Sequence, residues 1–147
     1  MGIAATIRAA LPHAAFRSPD QAAALTLAYI GDTVFDLYVR TMLVTSADAK
    51  VHELHLLSAK RVCAAGQAKA FRKIEPMLSE EELAVFKRGR NSHLGTVAKN
   101  ASIADYRAAT GLEALVGWLY LSGRDERLTE LMRAMLELTQ EGEPPNA

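Results

Sequence analysis

The sequence predicts an all-α domain. Apolar residues recur at helical spacing over most of the chain, and helix-start signatures stand before those stretches. Strand signals are nearly absent: there is no sustained two-residue alternation and no Asn-Gly hairpin. The 147 residues suit one domain, and half of them are hydrophobic, which is enough to build a core.

The elements follow in order. The segment Met1 to Leu11 is Ala-rich, carries only Arg8 as a charge and is interrupted by Pro12 and His13, so it reads poorly as a secretion signal. Ser18-Pro19-Asp20 is a helix start, with Ser as cap and Pro in the first turn, and apolar residues then run from Ala22 to about Leu43. A second helical stretch is expected from about Lys50 to Ile74, stopping before Pro76. Ser79-Glu80-Glu81-Glu82 is a capping box for a short helix ending near Arg88-Gly89. Ser102-Ile103-Ala104-Asp105 opens a strongly apolar helix through Leu121, closed by Gly123. A last amphipathic helix carries Leu128, Leu131, Met132, Met135, Leu136 and Leu138. The expectation is about five to seven helices: an N-terminal extension over 1–19, one functional domain over 20–140, and a frayed tail over 141–147 that holds Pro144-Pro145.

Lys+Arg and Asp+Glu both number 17, so the net charge is zero and a globally basic nucleic-acid binder is excluded. The neutral total hides an uneven distribution. Residues 87–107 hold five Lys/Arg and one acid, whereas 124–147 hold three Arg and six acids. The single cysteine, Cys63, cannot form an internal disulfide and sits among Ala residues like a small buried hydrophobe. With no Cys/His cluster of zinc spacing and no run of ~20 apolar residues, the expected setting is the reducing cytoplasm.

Two carboxylates stand out. Asp32 lies inside Leu27-Ala28-Tyr29-Ile30-Gly31-Asp32-Thr33-Val34-Phe35, among residues that read as buried. Asp36 and Arg40 follow it on the same helix face, where Asp36 with Arg40 reads as an ordinary ion pair. Glu113 lies in Leu112-Glu113-Ala114-Leu115-Val116-Gly117-Trp118, an apolar helix in which Gly111 and Gly117 suggest close backbone approach. Two acids in apolar settings need either a shared proton, hydroxyl partners or a cation. Oxygen ligands without thiolates would select a hard ion, Mg²⁺ or Mn²⁺. The third unusual segment, Lys87-Arg88-Gly89-Arg90-Asn91-Ser92-His93 with Lys99-Asn100 behind it, reads as a basic loop suited to phosphate oxygens, against the alternative of a plain solvated charge cluster. His52, His55, Trp118, Tyr120 and Phe35 read as surface, core or interface residues; Lys60 and Arg61 add to a basic face.

Taken together these residues resemble the ribonuclease III family. Tyr29-Ile30-Gly31-Asp32-Thr33-Val34 is similar to its signature helix, and Leu112-Glu113-Ala114-Leu115-Val116-Gly117 to its second acidic motif. The order and spacing of His55-x-x-Ser58-Ala59, Gln67-Ala68, Arg88-Gly89-Arg90-Asn91, Lys99-Asn100 and Tyr106-Arg107-x-Ala109-Thr110-Gly111 resemble more closely the short branch, Mini-ribonuclease III, which lacks a separate RNA-binding domain. The resemblance covers roughly Asp20 to Leu131. It implies an endonuclease homodimer that cuts double-stranded RNA with Mg²⁺, leaves 5′-phosphates, and matures precursor 23S ribosomal RNA. It assigns catalysis and metal binding to Asp32 and Glu113, with Asp36 as a further candidate ligand. RNA binding falls to Lys87, Arg88, Arg90, Asn91, Lys99 and Arg107. Ala28 and Thr110 stand where full-length members carry two further acids. The residues alone leave open an all-α, Mg²⁺-dependent nucleotide pyrophosphohydrolase, or a non-catalytic RNA-binding ribosome-assembly factor.

Overall fold

The longest apolar stretch winds into one continuous helix, α2 (Ala24–Ser46). The computed structural model describes residues 2–11, 18–92 and 102–137. Among these there are seven α-helices and no strand: α1 (Ile3–Ala10), α2, α3 (Val51–Val62), α4 (Ala64–Ile74), α5 (Glu80–Arg90), α6 (Ile103–Leu121) and α7 (Asp125–Leu136). Short 3-10 turns occupy Pro19–Gln21 and Glu75–Met77. No described helix is long and apolar enough to cross a membrane. Leu138 and the tail lie outside the described residues.

Helix α6 is the centre of the packing. Leu112, Ala114, Leu115, Val116, Trp118 and Leu119 are all buried, as expected of a helix that is apolar all round. Helices α2, α5 and α4 surround it, and α2 makes the largest contact. Leu27, Val34, Phe35 and Val39 of α2 close the core with Phe71 and Ile74 of α4, while Leu128, Leu131, Met132 and Met135 of α7 complete it. The indole of Trp118 donates to Asp20 Oδ1 at 2.8 Å, and the Arg124 guanidinium lies 4.5 Å from its ring centroid.

The caps read from sequence are formed. Ser79 Oγ accepts from the Glu82 N–H, and Glu82 Oε1 accepts from the Ser79 N–H. Ser102 Oγ likewise accepts from the Asp105 N–H, and Gly123 closes α6 with φ +70°. Glu82 is buried and takes two hydrogen bonds from Arg127, at 2.8 and 2.9 Å. That guanidinium holds its carboxyl below the usual carboxylate range.

Three expectations are corrected. Ser18-Pro19-Asp20 opens only the first 3-10 turn; the chain straightens at Ala22 and Ala23 before α2 begins. The stretch from Lys50 to Ile74 is two helices, because Cys63 adopts an extended conformation (ψ 163°) between them. Cys63 is exposed rather than buried: its Sγ accepts from the Gly66 N–H and caps α4. A thiol is a weak cap, so the sequence offers no Ser, Asp or Pro to mark the break.

Candidate active site

The two singled-out carboxylates are brought to one cleft by glycine. A Cβ on Gly31 would lie 1.7 Å from the carbonyl oxygen of Glu113 and 2.8 Å from the amide nitrogen of Gly117. A Cβ on Gly117 would lie 2.0 Å from the Leu27 carbonyl oxygen. The α2 and α6 backbones therefore touch at a point where no side chain fits. Asp32 is the next residue on α2, and Glu113 is itself at the contact. Both line a cleft of about 540 Å³ with Leu25, Tyr29, Tyr106 and Thr110.

Their environments differ. Asp32 is exposed at the rim, not buried as its apolar neighbours in sequence suggested, because among the described residues the α2 face holding Leu25, Tyr29 and Thr33 has no helix over it. Partial burial still raises its carboxyl above the ordinary range, and the charge of Asp36 adds to this. Glu113 is more enclosed. Burial, and then the charge of Asp32, push it up to about 8. Asp36 forms the expected ion pair, with Arg40 Nε donating to its Oδ2 at 3.1 Å. Among the described residues no group of three or more His, Cys, Asp or Glu side chains is gathered as metal ligands. The available donor set is the pair Asp32 and Glu113.

Comparison with known proteins gives the family and the fold. Residues 25–124 match the Ribonuclease III domain. The Mini-ribonuclease 3 of Clostridium tetani is 48% identical over 118 residues, spanning 80% of this chain and 78% of the relative. That of Brevibacillus brevis is 43% identical over 124 residues, spanning 84% and 92%. A crystal structure of a protein from Fusobacterium nucleatum shares the fold with a TM-score of 0.73 at 26% identity, over 80% of this chain and 93% of that one.

The chain belongs to the ribonuclease III family, in its Mini-ribonuclease III branch. It is an endoribonuclease. Ala28 and Thr110 both line the cleft and bring no charge to it. Thr110 is buried and donates instead to the Tyr106 carbonyl at 3.1 Å. Tyr29, Tyr106 and Thr110 line the cleft beside the two acids and go beyond the site residues the sequence singles out. Helical spacing could have found them: Tyr29 precedes Asp32 by three residues, and Thr110 and Tyr106 precede Glu113 by three and seven.

The described part of the basic segment is helical up to Arg90 rather than a loop. Lys87, Arg88 and Arg90 form the last turn of α5, with Asn91 as its C-cap. Gly89 does not end the helix; a Cβ there would lie 2.9 Å from Gly111 Cα, so this glycine serves α5–α6 packing. Cations in a last turn suit the helix dipole. Arg88 is committed to structure: its Nη2 donates to the Ala22 carbonyl at 3.0 Å and ties α5 to the approach to α2. Arg90 Nε donates to Asn91 Oδ1 at 3.2 Å, and its guanidinium lies 5.8 Å from the Phe86 ring centroid. Lys87, Asn91 and Arg107 are exposed. Lys99, Asn100 and His93 lie outside the described residues. His52 and His55 are at the surface of α3.

Proposed function

We propose that the chain is a Mg²⁺-dependent endonuclease of double-stranded RNA that works as a homodimer in the maturation of precursor 23S ribosomal RNA. The observation that carries the reading is the pair Asp32 and Glu113 on one cleft, both carboxyls raised above their ordinary range. Two oxygen donors that resist sharing negative charge suit a hard divalent cation, Mg²⁺ or Mn²⁺. When bound, the cation supplies an acidified water and offsets charge on the scissile phosphoryl oxygens.

The residues do the rest. Asp32 and Glu113 would hold the ion, and the α2–α6 glycine contact sets the placement of both residues. Tyr29 and Tyr106 form walls of the cleft. Attack at phosphorus with departure of the 3′ oxygen leaves the 5′-phosphate that the family resemblance implies. A-form RNA is held through phosphates and 2′-hydroxyls rather than base edges. Lys87, Arg90, Asn91 and Arg107, with Lys99, are the proposed contacts; Arg88 contributes chiefly by placing α5. A second copy covers the open face of α2, where Tyr29 is 82% and Leu37 52% exposed, and the two sites cut the two strands.

The test is a gel assay of a labelled RNA duplex with Mg²⁺, with EDTA and with Asp32→Asn. Cleavage is expected only for the wild type with metal. Nucleoside triphosphates serve as the parallel substrate: their hydrolysis, with the duplex left intact, would overturn the reading in favour of a pyrophosphohydrolase.

A further inference from the structure

A second cleft, about 280 Å³ in volume, lies between the end of α3, one face of α4 and the end of α7. It shares no lining residue with the carboxylate cleft. Lys60 and Arg61 reach it from α3, and Lys69 and Lys73, one turn apart, from α4. Its floor is apolar, made by Phe35, Ala70, Met135 and Leu136, all buried. A low-dielectric floor under four cations concentrates positive potential over the cleft.

The cleft already holds an oxyanion. Glu137 is its single acidic lining residue and is ion-paired to Lys73. Lys73, Arg61 and Lys69 together draw its carboxyl below the usual range. Glu137 is also the only non-glycine residue with positive φ among those described (φ 55°). That conformation strains a side-chain-bearing residue and is normally left to glycine at a helix end. The strained turn places this carboxylate against the lysines.

We propose that this cleft is a second RNA-docking site, which takes a backbone phosphate of the duplex remote from the cut, and that the Glu137 carboxylate occupies the phosphate position until RNA displaces it. The inference rests on the reading of the chain as a duplex-RNA nuclease. It adds affinity without touching chemistry, since none of these side chains lines the cleft of Asp32 and Glu113.

The experiment measures duplex-RNA affinity against salt concentration in Ca²⁺ or EDTA, and turnover at saturating RNA in Mg²⁺, for wild type, Lys69→Gln/Lys73→Gln and Glu137→Gln. Each lost phosphate contact should lower the slope of log affinity against log salt by roughly 0.7 to 0.9. The double lysine variant should bind about two- to fivefold more weakly per lysine, the range of an exposed ion pair. Glu137→Gln should bind a few-fold more tightly, and turnover at saturation should be unchanged in both. Loss of fold cannot produce opposite shifts in two variants, so the sign of the Glu137→Gln effect protects the test. Unchanged affinity and slope in both, with wild-type cleavage intact, would overturn this site and leave the nuclease reading standing. Pyrophosphate protecting wild type but not Lys69→Gln/Lys73→Gln against thermal unfolding, with equal RNA affinities, would also overturn it, since the cleft would then serve a small phosphate. A wild-type chain that neither binds nor cuts the duplex would remove both readings.

Discussion

Asp32 and Glu113 sit on opposite sides of the same electrostatic problem. Burial, and then the charge of Asp32, raise the energy of a Glu113 carboxylate, so in the metal-free chain Glu113 keeps its proton at neutral pH, with its carboxyl near 8 against an ordinary value of 4.5. A folded-state value above the unfolded one means the native chain binds the extra proton. The stability from neutral Glu113 is therefore fully present below about 4.5 and is lost as pH rises through about 8. Thermal melts in EDTA should show this decline, by roughly a few kcal/mol at most. Glu113→Gln should flatten it and be the more stable protein at pH 9. A Glu113→Gln profile with the wild-type slope would assign the pH dependence elsewhere. For Asp32→Asn the expectation is a fall in cleavage of about a hundredfold or more, the scale of losing several kcal/mol of transition-state charge stabilisation. Its melting temperature without metal should be unchanged or slightly higher, because a desolvated charge has been removed. Near wild-type cleavage by this variant would refute its role.

At the level of helices, the site exists because α2 and α6 meet backbone to backbone. Gly31→Ala would drive a methyl group onto the Glu113 carbonyl, which cannot rotate away. The helices must then separate, at about 3 kcal/mol or more for an overpacked rigid contact. Activity should fall with stability, and circular dichroism melts paired with the cleavage assay would check both. Gly123→Ala is the contrast: nothing lies within 4 Å of its Cβ position, so only its φ of +70° is strained and the loss should be about 1 kcal/mol. These contacts explain what could be read in the sequence. Ser79 with Glu82, and Ser102 with Asp105, are local signals, and the structure contains both caps. Asp32 and Glu113 were legible because a carboxylate among apolar residues is conspicuous anywhere. The break at Cys63 was not legible, because a thiol caps α4 where a hydroxyl would have announced itself. The end of α5 near Arg88-Gly89 was legible to within a residue, but the packing role of Gly89 was not, because it depends on Gly111 of the partner helix. Asp32's exposure depends on what covers α2, which no local pattern states.

For the molecule as a whole, one side of α2 stands open among the described residues. Leu25, Tyr29, Leu37 and Val44 are exposed on it, interleaved with Asp32, Thr33 and the Asp36–Arg40 pair, while the opposite face of the helix is packed in the core. Light scattering at micromolar concentration should give about twice the 16.0 kDa chain mass. Leu37→Glu should shift the mass toward the single chain and reduce cutting of both strands, without altering the α2–α6 contact on the other side of the helix. A wild-type mass equal to one chain would contradict the proposed dimer.

The chain carries one tryptophan, and its placement makes the protein its own spectroscopic probe. Trp118 lies five residues beyond Glu113, buried in α6, with a carboxylate on its N–H and a guanidinium over its ring. Its emission should be blue-shifted in the native state and move to the red when Asp20 lets go or the core opens. A single excitation wavelength, with no label attached, therefore reports whether α6 is in place whenever a substituted chain loses activity.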